Sequence, residues 1–214
     1  MSKIVVLGAG PAGCSAGYHL AKSGHQVTLI DKQSFPRDKI CGDGVGIWID
    51  EYQKMNTNII RLFDEFVQRN ENTKELLSKI VSKQKPKAYP LATALKGNRV
   101  SDGKILKIGD AANLTDPLTG EGIANAILSG LYVTQAINMS SRPEKAAENW
   151  QRLYEACFEE NIRAALRIKS LRKYSFMNNM LIWLMKRNHR FSEQVTYAIV
   201  GSVPYNEVLP SLKY

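Results

Sequence analysis

Apolar residues switch between two periods along this chain. Lys3–Leu7 is a short apolar run that ends at a glycine, the mark of a buried strand. From Pro11 to Ser23 the spacing is helical. Pro11 falls in the first turn, where a missing N–H is harmless, and Gly24 is the stop. Gln26–Ile30 returns to the strand pattern. Gln33 to Gly46 is rich in Gly, Asp, Pro and Lys and reads as loop, with a further short strand over Val45–Ile49. Ile59, Leu62, Phe63, Phe66 and Val67 then share one helix face, and Leu76, Leu77, Ile80 and Val81 mark a shorter helix. Pro86 and Pro90 bracket an extended piece. Ser101-Asp102-Gly103 reads as a turn, and Lys104–Ile108 as a strand running into Gly109-Asp110. From Gly120 onward the pattern is helical to near the end, and Ser141 with Glu144 forms a capping-box signature around Pro143. The order β-α-β, then helices, then β-loop-α predicts an α/β fold: a small parallel Rossmann-type sheet with a helical C-terminal half.

The first turn carries chemistry. Gly8-Ala9-Gly10-Pro11-Ala12-Gly13 sets G-x-G-x-x-G between the first strand and the first helix. The first glycine allows the tight turn, the second lets a pyrophosphate approach the backbone, and the third lets helix and strand pack closely. The helix start adds free N–H groups and the positive end of its dipole. Asp31 closes the second strand about twenty residues on, where a carboxylate accepts ribose hydroxyls. These residues predict dinucleotide binding, and the acid disfavours the 2′-phosphate of NADP. They leave NAD and FAD both open.

A second glycine cluster bears on that choice. Lys107-Ile108-Gly109-Asp110-Ala111-Ala112 ends a strand, and Asp116-Pro117-Leu118-Thr119-Gly120-Glu121-Gly122-Ile123 opens a helix. Asp110 is placed to accept from ribityl hydroxyls. The helix start at Gly120–Ile123 can set N–H groups against negative charge developing at the N1/O2 edge of a reduced flavin. Read by itself, the cluster is equally a structural tight turn with an N-cap at Thr119.

Together with Phe35-Pro36-Arg37-Asp38-Lys39-Ile40-Cys41-Gly42-Asp43-Gly44, the two clusters form three motifs in order. The chain thereby resembles the FAD-dependent oxidoreductases that include geranylgeranyl reductases, hydroxybenzoate hydroxylase-type monooxygenases and flavin-dependent halogenases, and most of all the geranylgeranyl reductase branch. The resemblance covers Lys3–Gly44 and about Thr57–Ala165. It implies FAD as cofactor. Gly8, Gly10 and Gly13, with Pro11 and Ala12 between them, would hold the pyrophosphate, and Asp31 the adenosine ribose, with Lys32 beside it. Arg37, Cys41 and Gly42 would lie along the cofactor. Asp110, after Gly109, would bind the ribityl chain, and Pro117, Gly120, Gly122 and Ile123 would border the flavin ring.

The same resemblance exposes a departure. Family members carry a large segment between the Cys-Gly-Asp-Gly loop and the Gly-Asp strand, including the sheet of the substrate pocket. Here 64 residues separate Gly44 from Gly109, most of them helical in pattern. Gly44-Val45-Gly46-Ile47-Trp48 resembles only the tail of the branch's lipid motif. The expectation is a cofactor-binding α/β part over residues 1–140, with a shortened middle at 45–100 from which the substrate sheet is absent or greatly reduced, and a helical extension over 141–214 packed on it. Flavin chemistry in this family needs a dry cavity over the ring. Such a chain is therefore expected to bind FAD with little specific turnover, as a domain-deleted or natural minimal version of the reductase. Two alternatives are an active reductase of prenyl-chain double bonds, and a non-enzymatic membrane-associated or oligomerising helical module with a vestigial nucleotide turn.

Composition adds limits. The chain has 214 residues, 44% apolar and 23% charged, with a net charge of +9, which suits a folded protein with a real core. The charge alone admits nucleic acid, an anionic membrane surface or a phosphate-bearing ligand as partner, and also a merely solvated basic surface; with the motifs taken into account no nucleic-acid partner is expected. Cys14, Cys41 and Cys157 are odd in number and widely spaced, which excludes a disulfide scaffold and a cysteine zinc site and fits a reducing cytosol. No metal site is expected. His19, His25 and His189 pair with no Ser or Cys at a readable spacing, and Glu121 is a helix-start residue or a proton donor. The start of the chain does not read as a signal peptide, and no apolar run is long enough to span a bilayer. A cytoplasmic protein is expected. Phe176 to Met185, followed by Lys186-Arg187-Asn188-His189-Arg190, is either a helix packed on the rest of the protein or one lying on an anionic membrane. Loss of the substrate sheet would also leave apolar faces to be covered by self-association.

Overall fold

The computed structural model describes residues 1–35, 68–69, 71–78, 93, 97–171, 173–199 and 203–208. The chain divides into two compact units, Met1–Asp38 with Leu91–Tyr214, and Lys39–Pro90. The expected strand over Val45–Ile49 and the expected helix at 59–67 lie outside the described residues, as do Arg37, Cys41 and Gly42. In the second unit, helix α2 covers Glu71–Ser78 and so includes Leu76 and Leu77 of the expected shorter helix, while Ile80 and Val81 lie outside the described residues.

The first unit opens as expected. Strand β1 (Lys3–Leu7) leads through the glycine turn into helix α1 (Pro11–Lys22), and β2 (Gln26–Ile30) returns beside β1. The strands are parallel, with Lys3 opposite Gln26 and Leu7 opposite Ile30. Ile4, Val6 and Val27 face the core with Ala16 and Leu20 of α1. The alternate positions face outward: Val5, Leu7 and Ile30 are 60%, 79% and 48% exposed. A parallel sheet is ordinarily covered on both faces. This one has an open apolar face.

The segment before Gly109 differs from expectation. Ser101–Asp102 is strand β3, not a turn, and pairs antiparallel with β4 (Ile105–Leu106) across Gly103-Lys104. The expected strand at 104–108 is thus a two-residue arm of a hairpin and does not extend the parallel sheet. Gly103, at φ +56°, makes the tight reversal that a run of apolar residues does not reveal.

Helices fill the rest: α3 (Ile123–Asn138), α4 (Pro143–Tyr154), α5 (Glu160–Leu171), α6 (Ser175–Arg187), α7 (His189–Ile199) and the short α8 (Tyr205–Val208). A single π-turn, Glu155–Glu159, joins α4 to α5. The capping-box reading is corrected: the N-cap of α4 is Arg142, and its side chain caps nothing. Pro143 sets the start itself, because its fixed φ suits the first helical position and it has no N–H to satisfy. The main core joins Val6, Ala16 and Leu20 to Leu114, Val133, Trp150, Tyr154 and Phe158. A smaller cluster gathers Leu118, Ala164, Ala165, Ala198 and Tyr205.

Candidate functional site

The first glycine turn is closed by its own neighbours. Gly8 sits at φ +96° and donates its N–H to the Ile30 carbonyl at 2.7 Å. A Cβ at Gly13 would overlap the Gly8 carbonyl oxygen, so only glycine fits there. Gly10 is different. It is the extended N-cap of α1, and a Cβ on it would meet nothing within 4 Å among the described residues. Glycine at position 10 is therefore not demanded by the protein's own packing, and the space it leaves lies at the start of a twelve-residue helix with no acidic residue in its first turn. Asp31 straps the turn: one carboxylate oxygen accepts from the Ala9 N–H at 2.7 Å, the other from the Gln33 N–H at 2.9 Å. Cys14 adds a thiol contact to the Ala9 carbonyl at 3.3 Å. Lys32 is exposed next to this strap.

The second turn comes to the same place. Gly109–Ala112 is a single 3₁₀ turn whose first residue has φ +55°. A Cβ at Gly109 would stand 2.8 Å from Ala12 Cβ and 3.6 Å from Ala126 Cβ, so the turn is wedged between the first turns of α1 and α3. Those helices touch through small residues. A Cβ at Gly130 would lie 2.6 Å from the Ala16 nitrogen, and Ser15 donates its hydroxyl to the Ile127 carbonyl at 2.7 Å. At the far ends Asn138 bonds Ser23 at 3.0 Å and His25 at 2.8 Å. Start meets start and end meets end, so α1 and α3 run in the same direction. Both positive dipole ends, and both glycine turns, converge on one edge of the molecule.

Within the second turn Asp110 is exposed, and its Oδ1 accepts weakly from Thr115 Oγ1 at 3.4 Å. Gly122 approaches both: a Cβ there would be 3.1 Å from Thr115 Oγ1 and 3.7 Å from Asp110 Oδ1. Asp116 folds the following loop, accepting from the Leu118 and Thr119 N–H groups at 2.7 and 2.8 Å. Pro117 is buried, and Gly120 turns at φ +76°. Helix α3 begins at Ile123 with Gly122 as its N-cap, three residues later than a helix capped by Thr119 would. Ile123 itself is 50% exposed.

Three side chains that sequence reasoning missed hold this second turn. Ser129 of α3 accepts from the Gly109 N–H at 3.0 Å, and Trp150 of α4 donates its indole N–H to the Lys107 carbonyl at 2.9 Å. The Tyr205 hydroxyl of α8 lies beside the Asp116 and Thr119 side chains. Burial and the adjacent Asp116 carboxylate push the Tyr205 hydroxyl well above the usual tyrosine range. Nothing local in the sequence marks these three. The histidines are structural or exposed: His25 bridges Ser2 and Asn138, and His189 faces Glu193 at 3.6 Å. A depression of about 270 Å³ lined by Arg163, Leu166, Arg167 and Ser170 includes none of the turn residues.

A parallel β-α-β unit whose glycine turn meets a second glycine turn at paired helix starts defines a dinucleotide-binding α/β protein. The family model of the FAD dependent oxidoreductases matches residues 3–109, half of the chain, and the chain belongs to that family. FAD is the cofactor of the family. The chain is similar to the digeranylgeranylglycerophospholipid reductase of Thermoplasma acidophilum, with 41% identity over 59 residues, 26% of this chain and 15% of that protein. It is similar to the menaquinone reductase of Mycolicibacterium smegmatis, 52% identical over 42 residues, 20% of this chain and 10% of that protein. Conditioned medium factor receptor 1 of Dictyostelium discoideum is 40% identical over 62 residues, 29% of this chain and 12% of its own length. The matched segments thus span only 10 to 15% of these relatives. No solved structure matches the chain.

Proposed function

We propose that this flavoprotein is a minimal FAD-holding module related to the geranylgeranyl reductases, with little specific turnover of its own. The observation that carries the reading is the convergence of Gly8–Gly13 and Gly109–Ile123 at the starts of two parallel helices, with open space at Gly10. When bound, FAD supplies hydride transfer at its ring. The chain's own groups do the holding. The N–H groups of the first turn of α1 take the pyrophosphate, Asp31 takes the adenosine ribose while bracing the turn, Asp110 takes ribityl hydroxyls, and the start of α3 faces the ring. Residues 1–140 form the cofactor part and 141–214 brace it, as Trp150 and Tyr205 do at the second turn.

Low turnover follows from wetness. Asp110 is exposed and Ile123 is half-exposed, so these residues do not enclose a dry cavity over the ring position. In this reading the middle at 45–100 stands where relatives carry the substrate domain. A prenyl lipid would be the substrate of a chain whose pocket was completed by another element, and the open face of Val5, Leu7 and Ile30 would let a second copy supply that cover.

The test is the flavin spectrum of purified protein after incubation with FAD and removal of the unbound excess. The reading expects close to one flavin per chain and no consumption of an added prenyl lipid by the reduced protein. Colourless protein would contradict cofactor holding. Saturation of the prenyl double bonds at catalytic ratios would replace this reading with that of an active reductase.

A further inference from the structure

Helix α6 is the part of the fold that the cofactor reading leaves unused. None of its residues is buried. Its inner side, Met177, Leu181 and Met185, is only half-buried. Its outer side carries Phe176, Met180 and Trp183, which are 65%, 44% and 50% exposed. Helical spacing places these three in one stripe. The Arg187 guanidinium lies 4.4 Å over the Trp183 ring, and Lys186 is exposed beside it. The charge around the helix is one-sided. Residues 173–199 contain four cations, Lys173, Lys186, Arg187 and Arg190, against a single acid, Glu193, in a chain whose net charge is +9.

This combination selects among occupants. A nucleic-acid duplex would satisfy the cations but leave Phe176, Met180 and Trp183 without a role, and an unpaired strand could stack its bases on the two rings but has no use for the thioether of Met180. A second copy of the chain would cover the apolar stripe but bring its own Lys173, Lys186, Arg187 and Arg190 against these. An anionic bilayer answers both features, because its interface takes amphipathic aromatic rings at headgroup depth and its phosphates pair with Lys and Arg. The thirteen residues of α6 reach about 20 Å, too short to cross the hydrocarbon, and no helix among the described residues is long and apolar enough to cross a membrane. We propose that α6 docks this protein on an anionic lipid surface, lying in the plane of the interface with Phe176, Met180 and Trp183 inward and Lys173, Lys186, Arg187 and Arg190 on the phosphates. The inference does not depend on FAD being bound.

The probes are vesicles of phosphatidylcholine alone and of phosphatidylcholine with phosphatidylglycerol in equal amounts, with co-sedimentation and tryptophan emission as readouts. The expected result is sedimentation with the anionic vesicles only, and, in a Trp48→Phe background, a blue shift of emission that Trp183→Phe abolishes, since Trp150 is already fully buried. Each cation removed should weaken binding about fivefold, so Lys186→Gln with Arg187→Gln costs about 25-fold. Phe176→Ser with Trp183→Ser should also release the protein from vesicles while leaving its far-ultraviolet circular dichroism unchanged, because both side chains are exposed. Equal binding to neutral vesicles would overturn the proposal. So would binding that survives loss of both aromatics, the mark of a simple polyanion contact. Failure to bind either vesicle, with dimerisation that Trp183→Ser abolishes, would assign the face to a second copy instead.

Discussion

The turn at Gly8–Gly13 is closed by groups that neighbour one another in the chain, whereas the turn at Gly109–Gly122 is held by side chains from three separate helices. Asp31 reaches back only 22 residues to Ala9, and the Gly8 and Gly13 contacts are internal to one β-α-β unit. Trp150 reaches 43 residues back to Lys107, and Tyr205 comes from near the end of the chain to Asp116. The first turn can form as soon as its own strand and helix form. The second exists only once the C-terminal helices have packed. In the proposed reading, one site combines a self-sufficient half, for the phosphate and ribose end of the cofactor, with a half whose geometry depends on helices far along the chain.

The comparison breaks most visibly at the glycines. Gly13→Ala drives a methyl into a backbone carbonyl, so a stability loss of about 3 kcal/mol and loss of FAD binding are expected. Gly10→Ala meets no atom of the described residues, so its melting temperature should match that of the parent while FAD affinity falls about tenfold or more, because the methyl occupies the pyrophosphate approach. Thermal melts and FAD titrations of the pair check this. Equal destabilisation by both would mean that the open space at Gly10 is not a ligand's space.

Asp31→Ala ranks next. It removes a charged acceptor from the Ala9 N–H, worth about 2 kcal/mol, and Asn at this position should recover part of the loss in urea unfolding. On the other side, Ser129→Ala leaves the buried Gly109 N–H without its acceptor, at about 1–2 kcal/mol. The contrast sharpens in binding. Ser129→Ala should lower affinity for FAD yet leave affinity for ADP alone, since only the second turn is disturbed.

The smallest effect is at Tyr205. Tyr205→Phe should cost about 1 kcal/mol at neutral pH. Its hydroxyl is held protonated in the fold, so the stability it contributes is complete below the unfolded tyrosine value of 10.0 and is lost as pH rises above it. The variant should therefore lose stability less steeply above pH 10.0 than the parent. Some slope should remain, because burial also raises Tyr154 and Tyr132. An unchanged slope would mean that Tyr205 does not sense Asp116.

This division also explains what could be read from the residues. The bounds of β1, α1 and β2 were legible because each follows from a local period and a glycine with a local duty. Gly109 and Asp110 were legible as a turn, but their place between α1 and α3 was not. That placement depends on Gly130, which inside a helix looks only like a weak spot until Ala16 is found against it. The hairpin at 101–106 and the start of α4 depart from the local pattern for a related reason. A four-residue reversal at Gly103 and a proline-set helix start at Pro143 override the apolar run and the Ser-x-x-Glu spacing that suggested otherwise. Tyr205 and Trp150 carry no signal at all, since their partners are backbone and side-chain groups far off in the chain.

The central claim is that both turns hold one molecule, and titration of FAD and of ADP into the parent and Asp110→Ala tests it most directly. The account predicts one FAD per chain, about tenfold or more weaker binding of FAD to the variant, and identical ADP binding by both proteins. FAD binding that is indifferent to Asp110 would show that the second turn takes no part in holding the cofactor.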